Sequence, residues 1–224
     1  MDESHPLGTL ARLWRYPTKS LQAEPLTTAA VTNEGLAGDR RRALFVATAG
    51  HARSDKTYRG KENNLLHTVA TEADARALGA ARGVVLDVRD DGPYFDDAPV
   101  SLVFDAWLRE LETLTGMELD PLRFRPNLYV RAAADFAARE ADLVGATLTV
   151  GTVPFAVTST TIRCVTPSYD VVSGHADPAM QRTLVQRRDN VLGVYCRPLA
   201  TGSIALGAAV AARPGTRGPT NRKD

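Results

Sequence analysis

Cys164 is the residue of this chain best placed to do chemistry. It follows Arg163 and leads into Val165-Thr166-Pro167, a Pro-bearing turn. A neighbouring cation favours thiolate, the form of cysteine that binds metals and acts as a nucleophile. The other cysteine, Cys196, follows the apolar run Val191-Leu192-Gly193-Val194-Tyr195, where a thiol behaves as a small buried hydrophobe. Two cysteines are too few for a disulfide framework, and neither belongs to a C-x-x-C pair. Asp170, six residues beyond Cys164, is a candidate for positioning water or relaying a proton. Its competing reading is an Asp that caps the turn before Ser173-Gly174.

Basic residues recur beside turn formers in three further segments. These are Tyr16-Pro17-Thr18-Lys19-Ser20, Gly35-Leu36-Ala37-Gly38-Asp39-Arg40 and Arg123-Phe124-Arg125-Pro126-Asn127. In an extended segment, alternation puts Arg123 and Arg125 on one face and Phe124 on the other. Two like charges on one face repel unless an anion or a carboxylate sits between them. Each segment also has a purely structural reading. Lys19-Ser20 reads equally as a solvated turn, and Asn127 as satisfying a turn after Pro126. Asp39-Arg40 reads as a local ion pair, worth under about 1 kcal/mol if exposed.

Other familiar sites are missing from the sequence. There is no P-loop, no dinucleotide-type G-x-G-x-x-G after a strand and no G-x-S-x-G elbow. His5, His51, His67 and His175 are scattered, without metal-ligand spacing. There are too few cysteines for an iron–sulfur cluster, and no flavin motif. Any electrons this chain uses are therefore expected from a separate protein.

The elements that must position these residues are mostly short strands. Leu10 to Tyr16, Leu26 to Thr32, Arg42 to Thr48 and Val84 to Val88 read as strands, bounded by Gly, Pro and Asp. Arg53 to Asn64 reads as a polar, basic surface loop. Thr71 to Leu78 reads as a short helix, with Thr71 and Asp74 at capping-box spacing. Pro99 to Thr115 is expected to be helical throughout, because Val103, Trp107, Leu111 and Leu114 fall at helical spacing and Gly116 suits the stop. Strands follow at Leu128 to Arg131, Thr147 to Val150, Phe155 to Cys164, Val191 to Cys196 and Ser203 to Ala211, with a helix at about Asp177 to Arg188. The pattern predicts a β-rich α+β fold, barrel-like with appended helices, rather than a doubly wound sheet.

The formal net charge of +1 gives no reason to expect a nucleic-acid or membrane surface. With 44% hydrophobic and 24% charged residues the composition is that of an ordinary globular protein. No apolar run approaches the roughly 20 residues needed to span a bilayer. The opening Met1-Asp2-Glu3-Ser4-His5-Pro6 lacks a secretory pattern, so cytoplasmic residence is the expectation.

Four segments, in this order, resemble the MOSC domain family, which includes molybdenum cofactor sulfurase C-terminal regions and amidoxime-reducing proteins. Tyr16-Pro17-Thr18-Lys19-Ser20 resembles the family's Tyr-Pro-(Ile/Val)-Lys-Ser, and Gly35 to Arg40 its Gly-Leu-x-x-Asp-Arg. Arg123 to Asn127 and the run Arg163 to Asp170, with Ser173-Gly174 after it, are the others. Gly193-Val194-Tyr195 and the spacing of Gly202, Ile204 and Gly207 also fit. The resemblance implies a MOSC-type β-barrel over about residues 1–213, with an N-terminal barrel portion to about 98, a core from about 99 and a flexible tail over 214–224. It implies a molybdenum cofactor (molybdopterin) held by Lys19, Ser20, Arg40, Arg123, Arg125, Asn127 and Arg163, with Cys164 as the thiolate on the metal. The implied activity is reduction of an N-hydroxylated or N-oxidised small molecule. Two alternatives stay open: sulfur transfer through a Cys164 persulfide, and cofactor binding without catalysis. The chain departs from the family pattern at Ile162, where relatives often carry a small hydroxyl residue, and in Phe104-Asp105-Ala106-Trp107, where Ser or Thr is usual.

Overall fold

A computed structural model describes residues 4–49, 57–58 and 65–213. The first part of the chain forms β1 (His5–Arg15), β2 (Glu24–Leu26), β3 (Thr28–Thr32), β4 (Gly35–Leu36), β5 (Ala43–Ala49), α1 (Glu72–Ala80) and β6 (Val84–Arg89). Then come β7 (Val100–Phe104), α2 (Asp105–Thr115), β8 (Leu128–Ala132), α3 (Glu140–Leu143), β9 (Thr147–Val150) and β10 (Val153–Ile162). The last elements are α4 (Pro178–Arg188), β11 (Val191–Pro198), β12 (Gly202–Ala205) and β13 (Ala209–Arg213).

Seven strands close on themselves in the order β13-β9-β10-β11-β7-β8-β1, sealed by antiparallel pairing of β1 with β13. The β7–β8 pair alone in this barrel is parallel. Parallel neighbours need a crossover, and α2 supplies it. Of the portion expected to form an N-terminal barrel, about 1–98, only β1 enters the closed barrel. Its other strands form a small sheet with β12 (β12-β3-β4), a two-stranded antiparallel β5–β6 sheet and the β2 edge on β1.

Two cores result. Inward residues such as Leu10, Leu102, Phe104, Leu128, Phe155 and Leu192 fill the barrel. Leu44, Val46, Tyr58, Leu66, Ala75 and Leu86 form a separate cluster under α1. Cys196 lies in the barrel core with no exposure, and burial pushes its thiol up to about 12.

The helix expected from Pro99 to Thr115 is instead a strand followed by a helix. All five residues of β7 are buried, so a central strand shows no polar alternation and its apolar run mimics a helix face. The helix begins at Asp105, buries Trp107, Leu108 and Leu111, and stops at Gly116 with φ 68°. Thr71 caps α1 by accepting from the Asp74 amide at 3.1 Å. The stretch read as one strand from Ser203 to Ala211 is broken at Leu206-Gly207 into β12 and β13. The polar loop over 53–64, apart from Thr57 and Tyr58, and the tail after Pro214 lie outside the described residues. Among the described residues no helix is long and apolar enough to cross a membrane.

Candidate functional site

Three of the basic segments are stitched to one another beside the end of β1. The Tyr16 amide donates to Asp39 Oδ1 at 2.7 Å, and the Arg40 amide donates back to Tyr16 O at 2.7 Å. The Lys19 amide reaches Arg42 O at 2.7 Å. Tyr16 hydroxyl donates to Pro126 O at 3.1 Å, which ties in the third segment. Asp39 is 7% exposed and the Arg40 side chain 13%, so their ion pair is a buried one. Burial lowers the basicity of Arg40, but Asp39 and its other neighbours outweigh it and hold the guanidinium above its ordinary pKa.

Arg123, Phe124 and Arg125 do not form an extended segment. Pro121–Phe124 is a 3-10 turn, and Arg125 ends it in the left-handed region at φ 50°. The two arginines therefore diverge rather than share a face. Arg123 is bound by carboxylates, Asp177 at 2.9 Å and Asp170 at 3.2 Å. Arg125 turns the other way and donates to Leu21 O at 2.8 Å. Its guanidinium carbon lies 4.3 Å from the Tyr16 ring centroid, and that of Arg40 lies 4.7 Å from the same ring. Desolvation lowers Arg125 to about 10.

Cys164 is exposed, in the turn that follows β10, and its thiol meets Thr166 Oγ1 at 3.2 Å. Arg163 fixes this turn. It donates through Nε to Leu192 O at 2.7 Å and through Nη1 to Phe124 O at 2.8 Å. Gly193 makes room for it, since a Cβ there would stand 3.0 Å from Arg163 Nη2 and 2.8 Å from Leu102 O. Desolvation lowers Arg163 to about 10 as well. Among the described residues neither Arg125 nor Arg163 has a carboxylate within ion-pair distance.

These parts surround one cleft of about 670 Å³, lined by Lys19, Ser20, Arg40, Arg123, Arg125, Arg163 and Cys164 among others. That volume suits a cofactor or small ligand. Ser20, Arg40 and Arg125, three of the five non-glycine residues with positive φ among those described, are on its wall. Left-handed backbone costs roughly 1–2 kcal/mol per residue, and strain of this kind gathers at functional sites. Lys19 Nζ pairs with Asp96 Oδ1 at 2.7 Å. Ile162 and Val165, 64% and 46% exposed, flank the thiol with apolar surface.

Two of the sequence-derived candidates lie off this wall. Asn127 has no exposure. Its Oδ1 accepts from Arg40 and from the Ser101 amide, both at 3.1 Å, and its Nδ2 donates to Trp14 O. It thus holds Arg40 rather than facing the cleft. Asp170 accepts from the Val172 and Ser173 amides and from Ser173 Oγ, a turn-capping arrangement. Those bonds, led by the Ser173 amide, hold its carboxyl down at about 2. At the departures, Asp105 accepts from the Ala132 amide and pairs with Arg109, and Trp107 Nε1 donates to Ala138 O. Neither residue lines the cleft.

The cleft also gathers residues the sequence reading did not propose: Asp96, Ser101, Thr161, His67 and Tyr195. Tyr195 closes Gly193-Val194-Tyr195, so its segment carried a signal. Thr161 carried none, yet it is 1% exposed and its hydroxyl has no partner among the described residues.

A closed β-barrel thus presents half-buried arginines and an accessible thiol to one cleft. The chain belongs to the MOSC domain family: the MOSC domain profile matches residues 82–211, and that of the MOSC N-terminal beta barrel domain matches residues 7–88. Among solved structures, the YuaD protein of Bacillus subtilis is similar, with a TM-score of 0.58 at 13% identity over 96% of this chain and 99% of that one. YiiM of Geobacillus stearothermophilus, 12% identical over 94% of this chain and 75% of its own, gives 0.47. YiiM of Escherichia coli, 13% identical over 94% and 69%, gives 0.44. No curated protein matches significantly.

Proposed function

We propose that the cleft binds the molybdenum cofactor and that the protein is an oxidoreductase, reducing an N-hydroxylated or N-oxidised small molecule with electrons from a separate protein. One observation carries this reading. Arg125 and Arg163 are half-buried cations with no carboxylate in ion-pair range among the described residues, on the wall of a cleft whose mouth holds an exposed thiol. A cation withdrawn from water is costly unless a counter-charge meets it, and an entering phosphate supplies one. The donor set fits the cofactor in other respects. Among the described residues no three His, Cys, Asp or Glu side chains cluster to cage a metal, so a metal here must arrive with ligands of its own. Thiolate is a soft donor suited to a metal already bound by sulfur.

Lys19, Arg40 and Arg125 would hold the phosphate, the unpartnered Thr161 hydroxyl would meet the ring system, and Cys164 would ligate the metal. The bound cofactor supplies two-electron chemistry at the metal. The chain's own part is positional. Arg163 anchors the Cys164 turn to β11 and to the Phe124 carbonyl, so the thiol is set by the barrel rather than by a free loop. Ile162 and Val165 give the mouth an apolar rim beside the exposed thiol. A second reading, sulfur transfer, is favoured by the exposure of Cys164, since a persulfide must be reachable by its acceptor.

Analysis of protein from a cofactor-producing host for molybdenum and cyanide-labile sulfur tests both. Cofactor binding requires molybdenum in the wild type and its partial retention in Cys164→Ser, while reduction of an N-hydroxylated test substrate collapses. Sulfur transfer requires labile sulfur without molybdenum, abolished by the same substitution. Wild-type protein that holds neither ends both readings and leaves a binder without catalysis.

A further inference from the structure

Tyr16 opens the first basic segment and carries an aromatic ring beneath two arginines of the cleft wall. It is 1% exposed and is fixed at three points. Its amide donates to Asp39, its carbonyl accepts from Arg40, and its hydroxyl donates to Pro126 O. Pro126 directly follows Arg125, so the same backbone that carries one arginine also pins the ring. Both Arg40 and Arg125 lie over that ring, at 4.7 and 4.3 Å from its centroid. The two like charges oppose each other, and Arg40 is among the neighbours that lower Arg125. Arg40 is offset by Asp39. Among the described residues Arg125 has no carboxylate within ion-pair distance, and of its donors only Nη2 is hydrogen-bonded, to Leu21 O.

We propose that Tyr16 is a positioning residue whose aromatic face holds the guanidiniums of Arg40 and Arg125 in register beside the cleft. The inference rests on the reading of the cleft as an anion site. An aromatic face attracts a cation through its negative quadrupole, most strongly where water is excluded. It does so without offering an acceptor oxygen, so the N–H edges stay available. A carboxylate in its place would neutralise Arg125 and occupy the donors an incoming phosphate needs. The ring thus stabilises two neighbouring cations without occupying the donors of Arg125 that are not bonded to Leu21 O.

The test uses inorganic pyrophosphate as the probe, titrated calorimetrically against the full chain at fixed ionic strength. Tyr16→Leu should weaken binding roughly tenfold or more, as expected for loss of a desolvated cation–π contact. Tyr16→Phe should restore it to within about threefold of wild type, because the face is retained. In an Arg125→Gln background the Tyr16→Leu loss should shrink, since the contact it removes is already gone. If Tyr16→Leu does not fold, phenylalanines of increasing fluorination at position 16 give the same answer. They keep shape while stripping charge from the face, so affinity should fall stepwise, an effect a space-filling role would not produce. Equal binding by Tyr16→Leu and wild type, loss in Tyr16→Phe as deep as in Tyr16→Leu, or a fluorination series without slope overturns the proposal. Molybdenum content of the same wild-type preparations separates the two claims. Molybdenum present with an insensitive Tyr16 sinks this inference alone, whereas a wild type without molybdenum or pyrophosphate affinity sinks the cofactor reading beneath it.

Discussion

Arginines are withdrawn from water in two settings on this barrel, and only one of them is neutralised. On the α4 side, Arg188 sits between Glu110 and Glu140, with side-chain exposures of 6% for the arginine and 7% for Glu140. Arg123 is likewise held between Asp170 and Asp177. At the cleft, Arg125 and Arg163 meet backbone carbonyls and aromatic rings, with no carboxylate in ion-pair range among the described residues: Leu21 O and the Tyr16 ring for the one, Leu192 O, Phe124 O and the Phe124 ring for the other. Carbonyls satisfy N–H groups but leave the net charge standing. The first setting binds elements together and is complete in itself. The second has no carboxylate partner among the described residues, and under the proposed function an entering anion would supply the counter-charge.

That contrast is sharpest when one partner is removed from each side. Glu140→Ala leaves Arg188 with Glu110 and the Val191 carbonyl and strips the Gly193 amide of its acceptor. It should cost about 3 kcal/mol in urea unfolding, with little change in pyrophosphate affinity. Arg125→Met should do the opposite. Stability should hold or rise by up to about 1 kcal/mol, because an uncompensated charge is gone. Pyrophosphate binding should fall by about 1.5–3 kcal/mol, or roughly tenfold to over a hundredfold. A destabilised Arg125→Met, or an unaffected Glu140→Ala, would erase the distinction between the two settings.

Smaller effects refine it. The folded carboxyl of Asp170 is depressed to about 2 from an ordinary 3.8. It therefore contributes stability that is present above about pH 4 and is lost as pH falls towards 2. Because the group is partly exposed, its share is on the order of 1 kcal/mol. Asp170→Asn should flatten the acid limb of the stability curve by that amount in unfolding measured from pH 5 to 2. Smallest of all, Asp96→Asn frees Lys19 from its acidic partner at the mouth among the described residues. Pyrophosphate affinity should rise about twofold to fivefold, the worth of a partly exposed ion pair. A fall instead would mean that Asp96 places Lys19 for binding rather than competing with the anion.

The sequence exposed local chemistry better than direction. Thr147–Val150 alternates and was readable as a strand to the residue, and Thr71 and Gly116 marked helix ends by side-chain and backbone rules that act within one turn. Val100–Phe104 was misread because burial on both faces removes the alternation a strand reading depends on. The order of the basic segments pointed to one site, and Lys19, Arg40, Arg125 and Cys164 do line one cleft. Where each side chain points was not readable. The left-handed backbone at Arg40 and Arg125 falls on residues that are not glycine, so their types do not announce it, and the divergence of Arg123 from Arg125 depends on carboxylates dozens of residues away. Asp96 and Thr161 reach the cleft through long-range packing, which leaves no local trace in composition or spacing.

The seam between β1 and β13 has a temporal consequence. His5 pairs with Ala212, so this closure joins positions about 200 residues apart, one of the more entropically demanding contacts a chain of this size can make. β1 also leads directly into Tyr16, Lys19 and the segment that seats Arg40. During synthesis the arginines therefore have no barrel to crowd them until β13 has emerged, and their mutual repulsion is confronted only when the rest of the core can offset it. Hydrogen exchange at the Leu10 amide, which donates to Ala208 O at 2.9 Å across that seam, reports on this step. Slow protection there, appearing after that of the β10–β11 pair, is the signature of a site assembled last.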